Sequence, residues 1–408
     1  REYRLAYETS PASGRSRVAT LSVCGLAGEC LPPTQFTWLD GAPGWARESA
    51  WDLPRQLWRE TRQEGVLGDI DGDGRLDLIH GGNATQTRAS WLNTGDGFAS
   101  ASDWRPPDDL FSATLGLPHA LLADLDGDGL PEYVRSFRAG DSSLEIATYL
   151  NEGDGWRSAP TSGWATPTFI WDYKDDHPQQ TAVLVDVNGD GLPDWVKSYE
   201  SQSGTEHRET RLNTGAGFGS PTSRWNTPVR LFSYKGTEQQ TEATLVDLNG
   251  DALPDLVQAY DDQSGQHRGV WLNTGSGFAG PVAAWLPPRV IWDYEHDSPR
   301  QEAELVDVNA DGLVDFVVAF KGNTGGAIQL TWLNTGAGWL RDAAWDLPTF
   351  MWNYENAKNR QTAQLADVNG DGFPDLVRAH VSSDGVDRRD TWLNTGRGFP
   401  SEWQSDPA

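Results

Sequence analysis

The chain has 408 residues and a net charge of −27, from 59 acidic against 32 basic residues. That balance excludes a binder of nucleic-acid backbone, which needs clustered Lys and Arg, and suits cations, basic partners or plain solubility. The 20 Trp, 13 Phe and 10 Tyr argue against disorder, and no apolar run approaches the roughly 18 residues that span a bilayer.

In chain order, the opening "REYRLAYETS" reads as the middle of a strand and no signal peptide is visible, so the chain is expected to be a piece of a longer protein. "YRLAYETS", "RVATLSV" and "TQFTWLD" predict three strands within residues 1–50. Cys24 and Cys30, in "CGLAGEC", are close enough to meet as a disulfide; two free, buried thiols are the alternative. With no His nearby they make a poor metal site.

From residue 51 the chain repeats itself six times, over about 51–103, 104–163, 164–224, 225–284, 285–344 and 345–408. Each unit holds one acidic nonapeptide: "DIDGDGRLD" from Asp69, "DLDGDGLPE" from Asp124, "DVNGDGLPD" from Asp186, "DLNGDALPD" from Asp247, "DVNADGLVD" from Asp307 and "DVNGDGFPD" from Asp367. An "LNTG" or a variant follows at Leu92, Leu150, Leu212, Leu272, Leu333 and Leu393. An aromatic comes next (Phe98, Trp156, Phe218, Phe278, Trp339, Phe399), then "WxxP" at Trp51, Trp104, Trp164, Trp225, Trp285 and Trp345. In the third unit "TAVLVDV", "DWVKSYE", "ETRLNTG" and "TFIWDY" predict four short strands, and no segment keeps a 3.6-residue period. Four strands per repeat of about 60 residues, with 44 Gly and 24 Pro for turns, predict an all-β chain built as a β-propeller, with a stacked β-solenoid as the competing architecture. "TWLDGAPGWARESAWDLP" (Thr37 to Pro54) parallels "TWLNTGAGWLRDAAWDLP" (Thr331 to Pro348), so residues 1–50 read as an atypical seventh blade; six blades, with these strands packed outside or ending a preceding domain, is the alternative.

The spacing D-x-[DN]-x-D-x-x-x-[DE] is a calcium design, because a hard cation takes six to eight oxygens from a backbone that curls around it. The side-chain candidates are Asp69, Asp71, Asp73 and Asp77; Asp124, Asp126, Asp128 and Glu132; Asp186, Asn188, Asp190 and Asp194; Asp247, Asn249, Asp251 and Asp255; Asp307, Asn309, Asp311 and Asp315; and Asp367, Asn369, Asp371 and Asp375. The carbonyls of Arg75, Leu130, Leu192, Leu253, Leu313 and Phe373 sit where a seventh-position oxygen belongs. Up to six calcium ions are expected, one per repeat, since so many unneutralised carboxylates would repel one another. Ala252 and Ala310 stand where the other turns have Gly, so weaker sites are expected in the turns from Asp247 and Asp307. The six turns hold 20 acidic residues, which takes most of the net charge out of the rest of the surface.

Outside the turns, Trp171 and Tyr173, Phe232 and Tyr234, Trp292 and Tyr294, and Trp352 and Tyr354 form aromatic pairs, read either as core between blades or as platforms for a sugar or a partner protein. The polar stretches after them, such as "KDDHPQQ" and "EHDSPRQ", are expected to decorate one face. Gln180, Gln240, Gln301 and Gln361 precede the first strand of their units and suit cross-blade hydrogen bonds or the rim of the channel. No catalytic residue stands out. The seven histidines (His80, His119, His177, His207, His267, His296, His380) lack metal spacing, and there is no nucleophile elbow or phosphate loop, so no enzyme activity is expected.

The repeats from Trp51 to Trp403 resemble the FG-GAP and VCBS calcium blades of integrin-like propellers. The stretch "YRLAYETSPASGRSRVATLSVCGLAGECLPPTQFTW" and the "LNTGxGF…WxxP" cadence resemble the propeller region of bacterial RHS-repeat and Tc-toxin B-component proteins, including the Salmonella virulence plasmid B-like group. That resemblance implies a non-catalytic module of a toxin-encapsulating shell, secreted or at a bacterial cell surface, whose partner is another protein or the rest of a larger toxin chain. A lectin that binds carbohydrate on its aromatic platforms is the alternative.

Overall fold

The computed structural model describes residues 2–9, 16–24, 30–36, 44–81, 88–112, 117–173, 179–235, 238–295, 299–355, 360–382 and 385–396. Phe399, His177, His296 and much of the two polar stretches lie outside the described residues. Apart from two single-turn 3-10 segments, Ser49–Trp51 and Ala343–Trp345, the described elements are strands. They form seven sheets, six of which carry one acidic turn each.

The third unit shows the pattern. Its inner strand, Ala182–Val185, runs antiparallel to Asp194–Glu200, whose other edge pairs with Glu206–Arg211. Beyond the inner strand, Phe232–Lys235 joins the same edge in parallel, with Tyr199 opposite Phe232. That strand turns back through Glu238–Thr241 and becomes the inner strand of the next sheet, Ala243–Val246. Each sheet is thus stitched to its successor by one polypeptide crossing. The inner strands of the second to sixth units begin with a buried alanine (Ala120, Ala182, Ala243, Ala303, Ala363), and that of the first unit with Gly65. Small residues fit there because the sheets converge: a Cβ added to Gly65 would meet Leu57 Cδ2, on the seam with the sixth sheet, at 3.3 Å. Farther out the sheets diverge and aromatic and branched side chains fill the wedge, among them Tyr133, Trp195 and Phe316, all fully buried.

The expected seventh blade is not what the pairing describes. Trp45–Arg47 lies antiparallel along Asp387–Asn394 and forms the outer strand of the sixth sheet. Trp58–Arg59 runs parallel to the end of Asp375–Val381, with Trp58 opposite His380, and Arg62–Gln63 turns back to lead into the first inner strand, Gly65–Gly68. The two chain ends therefore build one sheet between them, and six sheets close on one another. The N-terminal strands Glu2–Thr9, Ser16–Cys24 and Thr34–Gln35 form a separate three-stranded sheet. Tyr3, Leu5 and Tyr7 on its first strand are 63%, 50% and 59% exposed, which a blade wedged between two others would not allow. Cys24 and Cys30 are joined by a disulfide at its edge.

Candidate metal turns and the faces around them

Each acidic turn links an inner strand to the second strand of its sheet. The first-position carboxylate organises it. In the turn from Asp186, one carboxylate oxygen accepts from the N–H of Gly189 at 2.7 Å and Asp190 at 3.2 Å, and the other from Gly191 at 2.7 Å. Asn188 accepts from the Asp190 N–H at 2.9 Å, and Asp190 from the Leu192 N–H at 3.0 Å. The turn from Asp247 keeps the same five bonds within a few tenths of an ångström, Ala252 included. In the turns from Asp186, Asp247, Asp307 and Asp367 the third-position Asn also donates its amide to the fifth-position carboxylate at 2.9–3.0 Å. In the first turn the Arg75 guanidinium folds back onto Asp73, so this turn supplies part of its own counter-charge.

The ninth-position carboxylate is a buried node. Asp194 accepts from the Val187 N–H at 3.0 Å and from the Asn213 N–H at 2.7 Å. Glu132, one methylene longer, reaches the equivalent donors, Leu125 at 2.6 Å and Asn151 at 3.5 Å. Burial, resisted by these hydrogen bonds and aided by neighbouring turn carboxylates, pushes Asp77, Glu132 and Asp194 up to about 7. The same causes raise Asp255 to about 6, Asp315 to about 7 and Asp375 to about 8. In the first two turns, carboxylate oxygens of Asp69, Asp71 and Asp77, and of Asp124, Asp126 and Glu132, lie within 4.8 Å of one another. Converging hard oxygens whose charges oppose one another fit a calcium ion, which would supply the missing positive charge.

The asparagines of the "LNTG" segments have a task that their local sequence does not reveal. Asn213 donates its side-chain amide to the Leu125 carbonyl, inside the acidic turn of the preceding unit, at 2.7 Å. Asn151, Asn273, Asn334 and Asn394 do the same to Ile70, Val187, Leu248 and Val308 at 2.7–2.8 Å. Asn93 closes the series onto Val368 of the sixth turn at 2.7 Å. The six turns are therefore joined head to tail in a ring.

The aromatic pairs are joints, and this corrects the platform reading. Trp171, Tyr173, Phe232, Tyr234, Trp352 and Tyr354 are all buried, and Trp292 and Tyr294 are partly so. Each tyrosine hydroxyl donates to a carbonyl of the preceding crossing: Tyr173 to Pro118, Tyr234 to Gln180 at 2.6 Å, Tyr294 to Thr241 at 3.0 Å and Tyr354 to Gln301. A sugar ring could not stack on the six buried rings without opening the core. The glutamine side chains stay local, since Gln180, Gln301 and Gln361 donate to the carbonyl two residues on, while the expected cross-blade bonds run through the backbone: the Gln180 N–H donates to Gln239 Oε1 at 2.7 Å, and the Gln180 and Gln301 carbonyls accept from Tyr234 and Tyr354. Gln240 falls out of register, since Thr241 takes the place opposite Phe232 that Gln180 takes opposite Trp171.

Two stretches, residues 69–135 and 307–378, match the model of the FG-GAP-like repeat, and each spans two acidic turns. A T-cell immunomodulatory protein homolog of Plasmodium yoelii yoelii is 28% identical over 214 residues, covering 48% of this chain and 29% of that protein. Its Plasmodium falciparum counterpart is 28% identical over 158 residues, or 36% of this chain and 19% of that one. The chain thus spans under a third of the length of these curated relatives, and neither is bacterial. Among the described residues no helix is long and apolar enough to cross a membrane. Among solved structures, the fold is similar to a Photorhabdus luminescens Tc holotoxin pore (TM-score 0.52, 17% identity, 97% of this chain and 17% of that chain). It is also similar to an Agrocybe aegerita lectin that recognises non-reducing terminal N-acetylglucosamine (TM-score 0.50, 18% identity, 84% and 79%). In fold, then, the chain is a β-propeller carrying FG-GAP-like repeats, similar both to part of a toxin assembly and to a lectin.

Proposed function

We propose that this chain is a non-catalytic, calcium-stabilised six-bladed propeller that serves as scaffold and protein-interaction module of a larger protein. The observation that carries the reading is the ring of six acidic turns, each held to the next by a buried asparagine. A cation in one turn would stiffen the carbonyl that its neighbour grips, so metal acts on the closure of the whole ring. The Cys24–Cys30 disulfide suits an oxidising, extracellular compartment. Likeness in fold to the Photorhabdus toxin assembly supports a role within a shell or docking complex; the Plasmodium relatives lend a bacterial source no support.

Because calcium would bind the folded chain and not the unfolded one, stability should follow calcium by mass action. Scanning calorimetry in excess chelator should show a melting temperature well below that in millimolar calcium. An unchanged melt would remove structural calcium from the reading. A lectin is the second reading, favoured by the coverage of the Agrocybe fold. Specific signal on a glycan array would support it, while silence there, with capture of a defined protein partner, supports the scaffold.

A further inference from the structure

We propose that the junction of the fifth and sixth sheets is a binding pocket for a compact oxyanion: a carboxylate, phosphate or sulfate, free or carried on a ligand of about monosaccharide size. The pocket is a cavity of about 270 Å³, just below the span of roughly 300–1,000 Å³ usual for drug-sized ligands. It lies at the end of strand Asp375–Val381 away from the acidic turn, and the calcium reading is not needed for it.

Four cations line it, Lys321, Arg360, Arg378 and Arg388, against one carboxylate, Glu355. Glu355 is taken up by Lys321 at 2.8 Å, and Arg378 is paired to Asp390 behind it. The Arg388 guanidinium has no ion pair or hydrogen bond among the described residues. At the wall sits His380, 8% exposed, whose Nδ1 is buried with no hydrogen-bond partner. Burial first, then Arg378 and Arg388, hold its ring well below the ordinary range, at about 4, as expected where positive potential accumulates. Phe350 adds an apolar face on which a ring could rest.

The pocket exists because the sixth unit breaks the repeat. Where it has His380 opposite Arg388, the second to fifth units have Phe137 opposite Glu145, Tyr199 opposite His207, Tyr260 opposite His267 and Phe320 opposite Ile328. The first unit also has a histidine there, His80, but buried Glu64 stands 3.8 Å from it. The residue in Glu64's place in the sixth unit is Thr362. Cations have been gathered and the internal anion removed, which leaves a guanidinium fork suited to an oxyanion.

Calorimetric titration of the full chain in calcium buffer, with sodium phosphate, sodium sulfate, N-acetylneuraminic acid and neutral galactose in turn, tests this. At least one anion should bind and galactose should not; which anion binds tells a free oxyanion from a sugar-borne carboxylate. Arg388→Ile and His380→Phe install the fifth unit's residues and so suit the sheet; each should weaken binding at least about tenfold while the melt stays put. Arg388→Gln replaces the first variant should it melt early. Silence from all three anions at about 10 mM, galactose binding as tightly as the acid, or variants that bind like the parent would each overturn the proposal.

Discussion

The two glycines of an acidic turn meet different demands. Gly189, at the fourth position, has φ +78°, and a Cβ there would also sit 2.7 Å from Leu253 Cδ2 of the next unit. Gly191, at the sixth, has φ +88° but open space around it. The natural exceptions follow this division. Ala252 occupies a sixth position at φ +66° and leaves its turn's hydrogen bonds intact. Ala310 occupies a fourth position, and there the overlying leucine of the next unit is replaced by Phe373, whose ring lies back over Gly396 of its own unit. The sequence shows both Gly-to-Ala changes but not which neighbour each must avoid, because that neighbour is some 60 residues away. Gly191→Ala should cost only the strain of the left-handed backbone, about 1–2 kcal/mol, and Gly189→Ala that strain plus about 1–3 kcal/mol of overpacking. Urea unfolding of the two variants in calcium checks the order, and equal losses would mean that the contact between units carries no weight.

At the scale of a turn with its flanking strands, the carboxylate spacing was legible because the geometry of a cation site is local. The latch was not, since five of the asparagines find their carbonyls 81–88 residues back in the chain and Asn93 finds its own 275 residues ahead. The ninth-position carboxylates tie the two together and give the metal-free protein a definite pH dependence. Their folded values lie at about 6–8, above the ordinary 3.8 of Asp and 4.5 of Glu. The folded chain therefore keeps protons that the unfolded chain has already lost. The stability this gives is present at low pH and drains away as pH rises through 6 to 8. His119, stacked on Phe137 and held at about 4 chiefly by burial, and His380 act the other way, but only below the ordinary histidine value of 6.5. Melts in chelator between pH 6.5 and 8.5 isolate the carboxylates. The melting temperature should fall across that range, and calcium, which competes for the same oxygens, should flatten the slope. A chelated protein that gains stability toward pH 8.5 would show that these groups ionise freely in the fold.

For the whole molecule, the order of the repeats was readable and their number was not. The match of Thr37–Pro54 to Thr331–Pro348 was visible, yet a ring has no first unit, and a tail that completes the last sheet looks in sequence like the start of another. The strand pairing resolves it. Trp45–Arg47 edges the sixth sheet, Thr391 Oγ1 donates to the Trp51 carbonyl at 2.8 Å, and Trp51, Leu53, Leu57 and Trp58 fill the wedge between the sixth sheet and the first. These four side chains are 7%, 1%, 0% and 5% exposed. At about 2 kcal/mol or more for each, their burial is comparable to the whole stability of an ordinary domain. The three-stranded N-terminal sheet, by contrast, leaves its first strand exposed and lies outside this closure. A chain that begins at Gly44 should therefore melt within a few degrees of the parent in calcium, while one that begins at Gly65 should lose its cooperative transition. Thermal melts followed by circular dichroism separate the two. A Gly65 chain that melts like the parent would mean that the ring closes without its seam, and the six-unit closure argued from Asn93 and Trp45 would have to be given up.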